Sequence, residues 1–228
     1  MATPMPLVLA TFNPGKVREY QALFGHLPVR LDGLLDHGIR ELPPETGTTF
    51  AENARIKARA AFDATSLPAL GDDSGLEVRA LGGAPGIHSA RYAGPDQDAR
   101  ANLELLLRHM EGIEDRRARF VCALAGVIPE GWLPADLARE PAIPGLEIRE
   151  DRDRKAWEIT ALGTVEGTIL REPRGRGGFG YDPVFYREDL GLSFGEAPEE
   201  VKNRLSHRGR AASLLAPILA RMTPPGER

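Results

Sequence analysis

The chain has 228 residues, 42% of them hydrophobic and 27% charged, with a formal net charge of −4 and a single cysteine. This length buries a sizeable core as one large domain or two small lobes, and the slight acidity argues against a nucleic-acid binder, which carries a strong basic excess. Cys122, inside the apolar run "FVCALAGVI", reads as a small buried hydrophobe and excludes an intramolecular disulfide or a thiolate metal cluster. No apolar run approaches the roughly 20 residues that span a bilayer, and "MATPMPLVLAT" lacks the basic segment of a secretory signal, so a cytoplasmic protein is expected.

In chain order, "PLVLAT" (6–11) is a continuous apolar run of the kind a buried strand shows. Asn13 stands where a helix N-cap is wanted, Pro14 at the first helical position, and Val17, Tyr20 and Phe24 at helical spacing, so residues 13–16 form a strand-to-helix turn. "TTFAENARIKARAAFDA" (48–64) is the clearest helix: Thr49 and Glu52 make a capping box, and Asn53 and Lys57, four apart, share a face. "PALGDDSGLEVRAL" (68–81) reads as strand, polar turn, strand. "DARANLELLLRHM" (98–110) is an amphipathic helix, and "RARFVCALAGVI" (117–128) and "GTVEGTIL" (163–170) are strands. Residues 129–157 hold Pro129, Pro134, Pro141 and Pro144 and the charge run Glu150 to Lys155, and read as an irregular surface excursion with room for one hairpin. "GRAASLLAPILARM" (209–222) is the last helix, kinked at Pro217, and "TPPGER" is a frayed tail. Strands alternating with helices predict an α/β fold, with functional loops at the strand ends.

Four segments carry candidate chemistry. "TFNPGK" (11–16) is not a P-loop, because Ala10 stands where its first glycine belongs and Val17 follows the lysine. A strand still feeds a helix N-terminus bearing Thr11, Asn13 and Lys16, where amides, helix dipole and ammonium all favour a phosphate; an ordinary capped turn uses the same residues. "GDDSG" places Asp72, Asp73 and Ser74 in a turn, with Glu45 in "PPETG" ahead of the capped helix. Carboxylates on loops, without a His or Cys cluster, suit a hard cation such as Mg²⁺, or else a solvated turn or a second cap.

"GRGGFGYDP" (175–183) fits the spacing of a dinucleotide-binding turn, but Pro183 and the aromatic run after it favour extended chain where that turn needs a helix. A glycine-bounded aromatic pair is left, Phe179 and Tyr181, with the close backbone and flat face that suit a nucleobase, or a tight turn beside a buried ring. "KNRLSHRG" (202–209) bunches Lys202, His207 and Arg208 near the start of the last helix, with Ser206 as a candidate cap. Of the chain's 29 Lys and Arg residues only four are lysines, and three of them, Lys16, Lys57 and Lys202, fall in these segments. Compact ammonium groups at those places favour an anionic ligand.

Taken together, "LATFNPGK", "ETGTTFAENARIKA", "LGDDSGLEV", "LGGAPGIHSARYAG", "GGFGYDPVF" and "SHRG" resemble, in this order, the inosine triphosphate pyrophosphatase family, from about Leu7 to Leu219. The resemblance implies an elongated mixed β-sheet flanked by helices, a single domain of two lobes around a central substrate cleft, usually as a homodimer. It implies Mg²⁺-dependent conversion of ITP, dITP or XTP to the monophosphate and pyrophosphate. Carried over position by position, Thr11, Phe12, Asn13, Pro14, Gly15 and Lys16 hold the triphosphate with Lys57. Glu45 and Asp73 bind Mg²⁺, Asp73 is also the family's proton acceptor, and Ser74 touches substrate. Phe179, Gly180, Tyr181 and Asp182 hold the base, and Lys202, His207 and Arg208 complete that pocket. Phe12 and Pro14 depart from the family's usual turn, and the 129–157 excursion is longer than typical. The competing readings are a pyrophosphatase for modified pyrimidine or methylated nucleotides, which a triphosphate panel separates, and a nucleotide sensor without turnover, which releases no pyrophosphate.

Overall fold

A computed structural model of the protein describes residues 4–134, 137 and 142–224. Leu7, Val8 and Leu9 lie fully buried in the first strand, β1 (Met5–Leu9), which accounts for the unbroken apolar run: a parallel strand covered on both faces has no polar side to show. β1 pairs in parallel with β2 (Val29–Gly33) and with β3 (Ala69–Val78). The helices α1 (Pro14–Phe24) and α2 (Phe50–Thr65) are the crossovers between them. α3 (Ala99–His109), β4 (Arg117–Pro129), β5 (Leu146–Asp151) and β6 (Ala156–Ile169) follow. β7 (Phe185–Arg187), β8 (Leu192–Ser193), α4 (Glu199–Leu205) and α5 (His207–Leu219) complete the chain. The strand order is β2-β1-β3-β4-β6-β7-β8, with β5 on β6, so the fold is mixed α/β with a multi-stranded sheet and helices beside it.

The chain divides into two compact units: Met1–Asp73 with Ala123–Gly163 and Arg208–Arg228, and Ser74–Cys122 with Thr164–His207. In the first, Tyr20 and Phe24 of α1 stack in the core with ring centroids 5.7 Å apart. α2 presents the small residues Ala54, Ala58 and Ala61, all fully buried. Its backbone comes so close to β3 that a Cβ on Gly71 would lie 2.2 Å from the Ala54 carbonyl oxygen. In the second unit, Leu76, Leu106, Met110, Phe120, Val165, Phe185 and Phe194 belong to one apolar core. Arg116 closes it at one end: its guanidinium donates to the carbonyls of Met110, Ile169 and Leu170, joining the end of α3 to the end of β6.

Two local expectations are corrected, and the hairpin allowed for in the 129–157 excursion is present. Residues 69–78 are one unbroken strand, not strand, turn, strand. Asp72 and Asp73 sit inside it because partners from other elements neutralise them, so neither needs the solvent that a turn would supply. The excursion at 129–157 contains an ordered antiparallel hairpin, with Leu146 opposite Ala161 and Asp151 opposite Ala156; its residues 135, 136 and 138–141, and 225–228 of the tail, lie outside the described residues. Lys202 is on a separate short helix, α4, and Ser206, extended at φ −70° and ψ 165°, divides it from α5. Among the described residues no helix is long and apolar enough to cross a membrane.

Candidate active site

The turn between β1 and α1 forms as its residues dictate. Asn13 caps α1, its Oδ1 accepting from the amides of Gly15 (2.8 Å) and Lys16 (3.3 Å), and Pro14 follows at the first helical position, where no amide is required. Thr11 Oγ1 accepts from the Asn13 amide at 3.1 Å, and Phe12 projects with 48% of its surface exposed. The capping side chain thus occupies two of the amides at this helix start. The cation offered here is Lys16, and its ammonium turns onto Asp72 Oδ1.

Asp72 and Asp73 leave β3 on opposite faces, as successive strand residues do. Asp72, fully buried, meets α1 and α5: beside Lys16, it accepts from Tyr20 Oη at 2.6 Å and from Arg208 Nε at 3.3 Å. Arg208 Nη1 also donates to Glu19 Oε2 at 3.1 Å. Burial alone would push Asp72 up, but the Lys16 and Arg208 charges outweigh it and hold the carboxyl well below the usual carboxylate range.

Asp73 meets α2. Its Oδ2 accepts from Asn53 Nδ2 at 3.1 Å, and its Oδ1 is 3.7 Å from Lys57 Nζ, which reaches Glu45 Oε1 at 2.7 Å. Burial pushes the Asp73 carboxyl up, and Lys57 and Lys16 offset this only in part. For Lys57 burial works downward, and the charges of Asp73 and Glu45 overcome it, so its ammonium is held above the usual lysine value.

One ammonium therefore bridges two carboxylates from separate segments, Glu45 on an irregular stretch and Asp73 on a strand. Among the described residues no group of three His, Cys, Asp or Glu side chains could hold a metal ion. Two carboxylates are nonetheless what Mg²⁺ takes from a protein when water and substrate phosphates supply its remaining oxygens. The donor set fits that ion.

In the second unit the segment "GGFGYD" wraps around the buried Asp182. Asp182 Oδ2 accepts from the Phe179 amide at 2.7 Å and from Lys202 Nζ at 2.7 Å, and the same ammonium lies 4.9 Å from the centre of the Phe179 ring. Gly178, at φ +70°, has no room for a side chain: a Cβ would fall 2.1 Å from Asp182 Oδ2. Phe179 and Gly180 are half-buried. Tyr181 has a different place from its expected one: its ring belongs to the apolar core, and its hydroxyl donates to the Ser89 carbonyl at 2.8 Å. Pro183 lies in a single 3-10 turn, Asp182–Val184, before β7 begins. His207 is buried and stacked on Phe120, with centroids 4.7 Å apart and planes 11° from parallel. Ser74 follows Asp73 on β3 and is half-buried.

The structure thus brings Lys16, Glu45, Lys57, Asp72, Asp73 and Arg208 together in one unit and Phe179, Asp182 and Lys202 in the other. Arg208, expected beside the base-binding residues, is bonded to the acids Asp72 and Glu19. Sequence reasoning passed over Glu19, Tyr20 and Asn53 as site residues. The only signal for Asn53 was its place one helical turn before Lys57.

A mixed α/β protein with paired carboxylates, each matched to a lysine from a helix, has the groups that phosphate and divalent-cation chemistry uses. A sequence model of the Ham1 family matches residues 7–218, and the chain belongs to that family. A dITP/XTP pyrophosphatase of Thermus thermophilus is 45% identical over 229 aligned positions, covering 100% of this chain and 98% of the relative. One of Syntrophobacter fumaroxidans is 47% identical over 205 positions, covering 90% and 78%. Among solved structures, the Ham1 protein of Staphylococcus aureus superposes with a TM-score of 0.75 at 35% identity, covering 94% of this chain and 97% of that one. The resemblance read from the motifs holds.

Proposed function

We propose that the chain is a nucleoside triphosphate pyrophosphohydrolase that converts noncanonical purine nucleotides, dITP, ITP and XTP, to the monophosphate and pyrophosphate, clearing deaminated purines from the nucleotide pool. The observation that carries the reading is Lys57 spanning Glu45 and Asp73 on one face of β3 while Lys16 engages Asp72 on the other, in a chain whose relatives bear the name dITP/XTP pyrophosphatase.

In this reading Lys16, Lys57 and the Thr11–Lys16 turn bind the phosphates, where ammonium groups and a helix start favour charge on the departing pyrophosphate. Glu45 and Asp73 hold Mg²⁺, which when bound neutralises phosphate charge and makes a bound water more acidic. Asp73 serves first as metal ligand and positions the attacking water, and second as the acceptor of its proton.

Phe179 offers a ring face to the purine, and the Gly180–Asp182 backbone, Lys202 and His207 surround it. Donors aimed at the 6-carbonyl of an oxopurine are left unpaired by the amine of adenine, which costs orders of magnitude in rate. A homodimer in the cytoplasm, with no nucleic-acid or membrane partner, belongs to the same reading. It is supported by the motif resemblance and the net charge of −4.

The test is pyrophosphate release across dITP, XTP, ITP, GTP and ATP with Mg²⁺, then after chelation. Fast release from the first three, slow release from ATP and loss on chelation are expected. Equal rates on dITP and ATP, or orthophosphate as first product, would sink the proposal.

A further inference from the structure

Asn53 is fully buried in the first turn of α2, one turn before Lys57. Asparagine is an unfavourable choice there: it is a weak helix former, and a buried amide left without partners costs about 1–3 kcal/mol. Both ends of this amide are bonded, and to different segments of the site. Oδ1 accepts from the Gly47 amide at 2.8 Å, two residues beyond Glu45. Nδ2 donates to Asp73 Oδ2 at 3.1 Å. The environment dictates the orientation, because a backbone N–H only donates and an ionised carboxylate only accepts, so a flipped amide would lose both bonds.

The two neighbouring glycines make this geometry possible. A Cβ on Gly47 would lie 2.7 Å from Asn53 Oδ1 and 2.6 Å from Glu52 Cβ, so the segment bearing Glu45 reaches the amide only because residue 47 has no side chain. Gly71, two residues before Asp73, lets the α2 backbone rest directly on β3. The helix carrying Asn53 is thereby seated on the strand carrying Asp73.

We infer that Asn53 is a positioning residue: a single amide fixes the Asp73 carboxylate relative to the segment carrying Glu45, the two acids that would hold a divalent cation. Lys57 reaches the same two acids, but as a freely rotating ammonium on a flexible stem it imposes no such direction. An amide that only anchored the Glu45 segment would need its Oδ1 alone; the Nδ2 bond singles out Asp73. The inference rests on Glu45 and Asp73 being the metal ligands.

Two variants separate the ends of the amide. Asn53→Asp keeps an oxygen for the Gly47 amide and removes the donor to Asp73, and Asn53→Leu removes both at similar volume. Mn²⁺ binding to nucleotide-free protein is followed by electron paramagnetic resonance, kcat and KM are measured on dITP, and folded fraction is read from thermal unfolding, with Asp73→Asn alongside. In Asn53→Asp, kcat falls about 10–100-fold, the usual loss for outer partners of metal ligands, while KM changes little. In Asn53→Leu, Mn²⁺ binds about 10-fold more weakly or worse, counted per folded molecule. Wild-type kcat in the first variant, wild-type Mn²⁺ affinity in the second, or losses that disappear on correction for folded fraction each overturn the inference. Unchanged Mn²⁺ binding in Asp73→Asn overturns instead the ligand assignment beneath it.

Discussion

Asp72 and Asp73 are neighbours on β3, and the protein moves their proton affinities in opposite directions. Burial acts upward on both, but Asp72 faces Lys16 and Arg208 together and is held far down. Asp73 faces an amide and an ammonium that it shares with Glu45, and stays raised. The strand's alternation sends the first acid among α1 and α5, where it anchors cations, and the second to α2, where it meets Asn53 and Lys57.

Asp72→Asn is expected to destabilise the protein by about 3–5 kcal/mol near neutral pH, the cost of breaking a buried ion pair from one side. Because the folded-state pKa lies below the unfolded one, this stability is present above the ordinary aspartate value of about 3.9 and is lost as pH falls through the folded value. Urea unfolding of wild type and variant at a series of pH values checks both points: the gap should narrow as the solution becomes acidic.

Asp73→Asn should show the opposite pH trend. With a folded-state pKa above the unfolded one, the protonated form contributes stability that is full below the unfolded value and lost as pH rises through the folded value. An asparagine is neutral throughout, so wild type should lose stability relative to the variant as pH rises through the folded-state value, on top of a constant offset from the partner that the buried Lys57 ammonium loses. Turnover should fall about 10²–10⁴-fold, as removal of a general base does. A variant that releases pyrophosphate at near wild-type rates would show that Asp73 neither binds metal nor takes the proton.

Gly71→Ala adds a Cβ 2.2 Å from the Ala54 carbonyl oxygen and 2.7 Å from the Ala58 amide, both backbone atoms that cannot rotate away. α2 must lift from β3, at about 1–3 kcal/mol for overpacking, taking Asn53 and Lys57 away from Asp73. Activity per folded molecule should therefore drop along with the melting temperature. Gly33→Ala is the control: the nearest atom to its Cβ is Asp36 Oδ2 at 3.5 Å, an ordinary contact, so melting and kinetics should be close to wild type.

Lys202→Met removes an ammonium paired with the buried carboxylate of Asp182 and standing over the Phe179 ring. An uncompensated buried charge costs about 3–5 kcal/mol, so the melting temperature should fall. With the "GGFGYD" segment no longer held by that pair, KM for dITP should rise more than kcat falls. Initial-rate kinetics on dITP would show the reverse split if Lys202 acted on the reacting phosphates.

The sequence by itself determined what depends on near neighbours. Apolar continuity marked β1 and β4, Asn13 and Pro14 marked the start of α1, and Thr49 marked the start of α2, whose Glu52 amide bonds the Thr49 hydroxyl as a cap should. The ordered set of motifs also identified the family, because residue types at fixed spacings need no coordinates to be read. Pairings that cross the chain were not written in any local pattern. Lys16 lies 56 residues from Asp72, and Arg208 lies 136 from it. Without those cations two adjacent acids read as a solvated turn, and with them they fit inside a buried strand. The ring of Tyr181, which looked free to stack, is drawn into the core because its hydroxyl finds the Ser89 carbonyl 92 residues away. Local sequence fixes periodicity and capping over a few residues. Which buried polar group is neutralised, and by what, is decided only when tertiary packing brings distant segments within hydrogen-bond reach, since only there does the loss of solvent make a partner obligatory.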